Sequence, residues 1–183
     1  SILMNGKVCW EELLKQVERP ARYVGREWNE IKKDPRSVKA KVALIFPDLY
    51  EVGMSYLGQK ILYSLLNEKN SILAERVFAP WVDFEQKLRA AGVPICSLEN
   101  RIPLNEFDLL GFSLLYELNF SNILTILDLG KIPFLASERE LNHPLVVGGG
   151  PGAFNPEPVA DFFDLFLVGD GEEAFIEIVE KYI

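Results

Sequence analysis

The sequence is poor in the side chains that most often bind metals or drive hydrolysis. Its 183 residues include two cysteines, Cys9 and Cys96, and one histidine, His143. A zinc cluster, a histidine-based catalytic triad and a disulfide framework each need more of these residues than the chain supplies. We therefore interpret both cysteines as free thiols of a protein in a reducing, cytoplasmic environment.

Excess positive charge and long apolar runs are also missing. The formal net charge is −8, so neither a nucleic acid nor an anionic membrane surface is an expected partner. No apolar run approaches the roughly 20 residues that a membrane-spanning helix requires. Residues 1–7 lack the order of a basic and then an apolar region, which predicts no signal peptide. With 49% hydrophobic and 25% charged residues, the composition predicts a cytoplasmic globular protein.

The N-terminal segment differs in its sequence pattern from the rest of the chain. We expect residues 1–40 to form an N-terminal helical arm and residues 41–183 to form the main domain. A stripe at helical spacing predicts a helix that a proline then ends: Trp10, Leu13, Leu14 and Val17. The arm is expected to pack on the main domain through Trp10 or Trp28.

Apolar runs alternating with periodic segments predict a sheet covered by helices. Strands are predicted at 42–46, 74–79 and 109–113, and two more precede the glycine-rich turns at Gly148 and Gly169. Right-handed crossovers leave few arrangements of such strands. We predict an α/β, doubly wound, flavodoxin-like (Rossmann-like) fold. Its mainly parallel five-stranded sheet has the order 2-1-3-4-5, with helices on both faces.

Some details of this prediction depend on weaker patterns. Glu75 and Arg76 interrupt the second strand, and residues 95–98 are a candidate for a short edge strand. The first helix of the main domain is predicted to bury one apolar stripe: Met54, Leu57, Ile61, Leu62 and Leu65.

Three turns are expected to meet at the carboxyl edge of the sheet, where open α/β sheets bind ligands. Asp48 and Gly53 follow the first strand, Ser113 ends the third, and Gly148–Gly150 end the fourth. Glycines without a Cβ leave room for a ligand to approach the backbone. A carboxylate, a hydroxyl and a stretch of glycine backbone without side chains suit a ligand with amide donors, a sugar–phosphate and a flat ring.

These residues resemble the signature of domains that bind cobalamin with its nucleotide base detached. That signature runs Asp-x-His-x-x-Gly, then Ser-x-Leu, then Gly-Gly. Asp48 and Gly53 match its first part, Ser113 and Leu115 match the second, and Gly148-Gly149 supplies the pair.

A longer stretch narrows the resemblance. From Pro144 through Gly-Gly-Gly-Pro-Gly and Asn-Pro-Glu-Pro to Gly-Asp-Gly-Glu172, the sequence resembles the B12 domain attached to radical SAM enzymes. Arg19–Trp28 and Phe46–Gly58 further resemble a radical SAM subfamily with an N-terminal B12-type domain. The resemblance therefore covers nearly the whole chain.

The resemblance implies that this domain holds a corrinoid whose cobalt is not ligated by a histidine. Tyr50 stands where the cobalt-ligating histidine of other B12 proteins would be, and a neutral phenol is a poor ligand. His143 precedes the fourth strand and is expected at the opposite end of the sheet. The implied cofactor contacts are Asp48, Tyr50, Gly53, Ser113, Leu115, Gly148, Gly149 and Gly150.

It also implies a partner, the radical SAM barrel of the same protein, with a [4Fe–4S] cluster and S-adenosylmethionine. Methyl transfer to an unactivated carbon is the expected chemistry. The cluster-binding motif Cys-x-x-x-Cys-x-x-Cys is absent from the chain. We therefore expect the barrel after residue 183 and no catalysis by this chain alone.

Two other functions remain open at this stage. The fold can serve as a cofactor-free docking domain of the same protein. The glycines also match Gly-x-Gly-x-x-Ala through Ala153, the fingerprint of dinucleotide-binding oxidoreductases. Among the acidic residues, Asp48 is a candidate helix cap, and Asp170, Glu172 and Glu173 are expected at a helix N-terminus.

Overall fold

The computed structural model describes residues 3–4, 7–8, 10–25, 30–50, 57–114, 120–150, 155, 157–169 and 171–183. Its strands are β1 Leu3–Met4, β2 Lys7–Val8, β3 Ala40–Phe46, β4 Ile72–Phe78, β5 Leu109–Ser113, β6 Leu145–Gly150 and β7 Leu165–Val168. Its α-helices are α1 Trp10–Leu14, α2 Leu57–Glu68, α3 Val82–Ala91, α4 Phe120–Leu129 and α5 Gly171–Tyr182. Single 3-10 turns cover Pro20–Tyr23, Leu104–Glu106, Ala136–Glu138 and Glu157–Phe162.

The central sheet confirms the predicted fold class. Five strands lie in the order β4-β3-β5-β6-β7, and every neighbouring pair is parallel. Counted along the main domain, that order is 2-1-3-4-5. Strands β1 and β2 form a separate antiparallel pair. Residues 95–98 are not a strand, because they contribute only the isolated bridge between Cys96 and Pro103.

The core has two halves, one on each face of the sheet. Strand β3 is buried almost throughout, as its continuous apolar run predicted. One face is covered by α1, α3 and α4, whose buried side chains include Leu13, Phe84 and Ile126. The other face is covered by α2 and α5, which contribute Leu66 and Phe175. The described helices thereby surround a single sheet on both faces.

The N-terminal arm packs on the main domain through Trp10 and the residues that follow it. The Trp10 ring lies 5.3 Å from the ring of Phe84 in α3, and Leu13 is fully buried. The prediction that Trp10 contacts the domain is confirmed, whereas Trp28 lies outside the described residues.

Helix α2 buries only part of the predicted stripe. Leu62 packs against the core, and Met54 and the Leu57 side chain lie outside the described residues. Ile61 and Leu65 are 45% and 37% exposed, whereas Gln59, Tyr63 and Leu66 are buried. The Tyr63 hydroxyl accepts a hydrogen bond from the backbone N–H of Ile31 at 2.8 Å. Polar side chains with specific partners therefore occupy part of the buried face, and the prediction was wrong for Ile61 and Leu65.

Strand β4 is an edge strand whose outer backbone groups are paired with side chains. The Asn67 amide of α2 accepts from Ala74 N–H at 3.0 Å and donates to Ala74 C=O at 2.9 Å. The Lys33 ammonium group donates to Ile72 C=O at 2.7 Å. An edge strand paired in this way is poorly available to another strand.

The charged residues that weaken the β4 pattern are buried and paired. Glu99 accepts a hydrogen bond from Arg76 N–H at 2.9 Å and an ion-pair bond from Arg76 Nε at 2.6 Å. The Leu98 N–H donates to the Arg76 carbonyl at 3.0 Å. Glu75 accepts from the Ser97 hydroxyl. The segment around residues 97–100 therefore takes the place of a neighbouring strand.

Within the part of the chain that the structure describes, no helix combines the length and apolar character needed to cross a membrane.

Candidate functional site

A groove opens between α2 and α5 at the carboxyl ends of β5 and β6. Its volume is about 180 Å³. Apolar side chains from both helices and two strands form the walls: Leu62, Val147, Leu167 and Phe175. Engineered cavities of about 150 Å³ accept a benzene ring, so the groove is on the scale of a small aromatic ring system.

Glycines shape the groove, and each does so for a different reason. A Cβ on Gly111 would lie 2.7 Å from the Phe175 ring, so the glycine lets that ring lie directly on β5. A Cβ on Gly149 would have its nearest neighbour, Leu167 Cβ, at 3.8 Å, an ordinary contact. Gly149 lines the groove, and a longer side chain there would occupy it.

The two glycines beside Gly149 allow close packing around the end of β6. A Cβ on Gly150 would lie 1.9 Å from the backbone oxygen of Leu114. A Cβ on Gly148 would meet Phe166 at 2.8 Å and Phe163 at 3.0 Å. Of the three predicted glycines, Gly149 therefore leaves space in the groove, whereas Gly148 and Gly150 allow close packing.

Three polar side chains line the groove. They are Gln59 from α2, Ser113 from the end of β5, and Glu172 from the first turn of α5. Among the described side chains that line the groove, none carries a positive charge. This part of the lining therefore favours a neutral group with hydrogen-bond donors, such as a base, over a phosphate.

Of the residues predicted to contact a ligand, the structure brings Ser113, Gly149 and Gly150 together in this groove. Gly148 neighbours them in β6 but packs on the opposite face. Two further predicted contacts, Gly53 and Leu115, lie outside the described residues.

Asp48 and Tyr50 lie just beyond the carboxyl end of β3. The Asp48 carboxylate accepts a hydrogen bond from Leu49 N–H at 2.7 Å, and its carbonyl accepts from Ala79 N–H at 2.9 Å. The Tyr50 ring meets Phe78 edge-on, with ring centres 5.4 Å apart. Both residues thus belong to the edge that carries the groove, but neither contributes to its lining.

Sequence reasoning missed the helix residues of the groove. Gln59 was overlooked because it is polar within a helix whose buried face was assigned from apolar residues. Phe175 is an ordinary amphipathic-helix residue, and only the glycine opposite it, Gly111 in the middle of β5, signals a close approach. Glu172 and Glu173 lie in the first turn of α5, as predicted.

The described residues contain no cluster suited to a metal ion. No group of three or more His, Cys, Asp or Glu side chains converges among them. Burial raises the pKa of the Cys96 thiol to about 12, and the thiol, unlike the thiolate, is a poor metal ligand. His143 precedes β6 at the amino end of the sheet, where its Nδ1 accepts a hydrogen bond from Glu140 N–H at 2.9 Å.

The sheet, its helices and the strand-end groove define an α/β domain of the kind that binds ligands at the carboxyl edge. A sequence model described as "Radical SAM proteins, N-terminal" matches residues 58–183. The chain belongs to this family of radical SAM N-terminal domains. The matched region contains the groove and four of the five parallel strands.

One curated relative has the printed name Uncharacterized protein MJ0966, from Methanocaldococcus jannaschii. It is 28% identical over 146 residues, which make up 76% of this chain and 26% of the relative. The chain thus spans about a quarter of the length of that relative. No solved structure matches the chain significantly.

Proposed function

We propose that this domain holds a corrinoid at the carboxyl edge of its sheet, with the base of the nucleotide tail in the groove between α2 and α5. The observation that carries the proposal is the convergence of Ser113, Gly149 and Gly150 on one groove. Ser113 and Gly149 belong to two separate parts of the signature found in the sequence, and they are register partners on adjacent parallel strands.

The groove fits the tail of such a cofactor in shape and in chemistry. Its apolar walls and the glycine backbone suit a flat heteroaromatic base. Ser113 offers a hydroxyl that can donate to a ring nitrogen or accept from a sugar hydroxyl. A side chain at position 149 would fill the space that the base needs. The corrin ring itself would lie above the strand ends, near Asp48 and Tyr50.

The groove suits a dinucleotide less well. A dinucleotide fingerprint follows the first strand of its βαβ unit, whereas Gly148–Gly150 belong to β6, the fourth strand of the sheet in chain order. The part of the lining that the structure describes has no basic side chain and includes Glu172, which also disfavours a pyrophosphate.

In the full-length protein, the cofactor would face a radical SAM barrel that carries a [4Fe–4S] cluster and S-adenosylmethionine. A corrinoid supplies a methyl group for transfer to an unactivated carbon. The role of this chain is to bind and orient the cofactor. With two cysteines in all, the chain cannot supply the three cysteines of the cluster motif by itself.

Adding hydroxocobalamin to the full-length protein, and separately to this chain, tests the proposal. We expect a shift in the corrinoid absorbance bands and a measurable heat of binding, both saturating at one equivalent. Free cobalamin in the same buffer is the reference. If the full-length protein gives neither signal, the corrinoid function is wrong, and the cofactor-free docking function takes its place.

Tyr50 provides a second test, which concerns the lower face of the cofactor. The variant Tyr50→His should move the cobalt absorbance and electron paramagnetic resonance spectra toward those of histidine-ligated corrinoids, because imidazole is a far better ligand than phenol. Tyr50→Phe is the matched control, since it keeps an aromatic ring against Phe78 and adds no ligand. Identical spectra for the two variants would show that position 50 does not lie beneath the cobalt.

A further inference from the structure

A buried amide in the wall of the groove has hydrogen-bonding capacity that the protein does not use. Gln59, in the first turn of α2, is 4% exposed and lines the groove. Its Nε2 donates to the backbone oxygen of Leu44 in β3 at 3.2 Å. Leu44 is the register partner of Gly111, which also lines the groove. The Leu44 bond therefore holds the amide beside the groove wall that β5 forms.

The other end of this amide lacks a partner. Within the described ranges of the chain, no group donates a hydrogen bond to Gln59 Oε1. Gln59 Oε1 is not among the fully buried side-chain atoms that lack a partner, so the oxygen opens to the groove. An occupant that covers this oxygen without offering a donor would leave it buried and unpaired, which is costly. Because Gln59 lines the groove, an occupant of the groove can provide the missing donor.

The groove offers more hydrogen-bond acceptors than donors, so its ligand is expected to supply a donor. Gln59 Oε1 and the Glu172 carboxylate are acceptors, and among the described lining residues Ser113 alone carries a hydroxyl. The same described residues include no Lys, Arg or His side chain. A base that presents only methyl groups would leave the Gln59 oxygen buried and unpaired.

We infer that the groove selects a corrinoid whose nucleotide base carries an N–H or O–H donor, and that Gln59 Oε1 accepts the hydrogen bond from this donor. An exocyclic amine on a purine and a phenolic hydroxyl on a benzimidazole both satisfy this requirement, whereas the two methyl groups of dimethylbenzimidazole do not. The inference rests on the proposed corrinoid function and specifies the class of corrinoid.

Three complete corrinoids that differ only in the base test this inference. Full-length protein is titrated with adeninylcobamide, 5-hydroxybenzimidazolylcobamide and cobalamin, and dissociation constants are measured by absorbance and calorimetry. Cobinamide, which has no nucleotide tail, is the fourth ligand. At least one donor-bearing base should bind about 10-fold to 100-fold more tightly than cobalamin, the range expected when one buried acceptor is satisfied or left unpaired. Cobinamide should bind most weakly.

The variant Gln59→Met tests whether the Gln59 side chain causes the preference for donor-bearing bases. Methionine keeps the length of glutamine and removes the acceptor, so the preference for donor-bearing bases should fall to within about 3-fold, a difference of less than 1 kcal/mol. Lys60→Met is the matched control, because Lys60 is the next residue of α2 and is exposed. Its base preference should equal that of the wild type.

The possible results separate the inference from the function on which it rests. If none of the four ligands binds, the corrinoid function itself is wrong. If the three complete corrinoids bind equally, or if cobinamide binds as tightly as they do, the corrinoid function stands and the inference is wrong. A preference that survives in Gln59→Met also overturns the role of Gln59. The wild-type comparison needs no variant, so a misfolded Gln59→Met would not prevent the test.

Discussion

Replacing Gly149 with leucine should weaken corrinoid binding by at least about 100-fold while the fold persists. The Cβ itself fits, since its nearest neighbour would be Leu167 Cβ at 3.8 Å. The remaining side-chain atoms would extend into a groove of about 180 Å³ and take the space of the base. We expect the free energy of unfolding to change by less than about 1 kcal/mol, because the added atoms enter open space. Calorimetric titration and urea unfolding measure the two quantities.

The neighbouring Gly150 is the comparison for stability, because its substitution should destabilise the fold. In Gly150→Ala the new methyl group would lie 1.9 Å from the Leu114 backbone oxygen. Since backbone must move to accept it, the free energy of unfolding should fall by about 3 kcal/mol or more. If Gly149→Leu binds cobalamin as the wild type does, the tail does not occupy this groove. If both variants are equally destabilised, the two glycines are not distinct in the way proposed.

Replacing Arg76 with methionine should lower the free energy of unfolding by about 3–5 kcal/mol, the usual cost of leaving one member of a buried ion pair alone. Arg76 Nε lies 2.6 Å from Glu99 Oε1, and both side chains are buried. The double variant Arg76→Met with Glu99→Gln removes both charges, and the glutamine carbonyl can still accept the position-76 N–H. It should recover most of the lost stability. A single variant no less stable than the double variant would contradict this account.

The cost of Arg76→Met should also depend on pH. Burial raises the pKa of Glu99 from its ordinary value of 4.5 to about 7, although Arg76 lowers it. A carboxyl with a raised folded-state pKa contributes stability in full below about pH 4.5, and this contribution is lost as the pH rises through 7. Without Arg76 the pKa of Glu99 rises further, so the variant should keep losing stability above pH 7, by up to about 1.4 kcal/mol per pH unit. Urea unfolding at pH 6, 7 and 8 measures this slope. The double variant should lack it, and an equal slope in both variants would show that Glu99 does not cause it.

The strand pattern and the sheet order could be predicted from local features. Continuous apolar runs such as β3 indicate strands covered on both faces, and right-handed crossovers leave few orders for five of them. The family resemblance was likewise carried by short segments that retain their order along the chain. The predicted Ser113 and glycine positions lie together because the carboxyl ends of adjacent parallel strands always share an edge.

Features that depend on distant partners could not be predicted. Glu75 and Arg76 weaken the strand pattern of β4, yet they are buried because residues 97–100 provide their hydrogen bonds. Gln59 and Asn67 occupy the buried face of α2 because their partners are backbone groups of β3 and β4. A polar side chain is buried when a specific partner offsets its desolvation, and sequence spacing does not reveal that partner.

The amino-acid pattern was therefore sufficient for the class of fold, the carboxyl edge as the place for a ligand, and the run of glycines at its centre. The tertiary structure alone separated the three glycines. Gly149 and Gly150 both line the groove, but only Gly149 has room for a Cβ, whereas a Cβ on Gly148 or Gly150 would clash with packed neighbours. It also brought Gln59 and Phe175 from the first and last helices of the main domain to the same groove. Periodicity assigns a residue to a face of its own element, but which faces meet depends on how the elements pack.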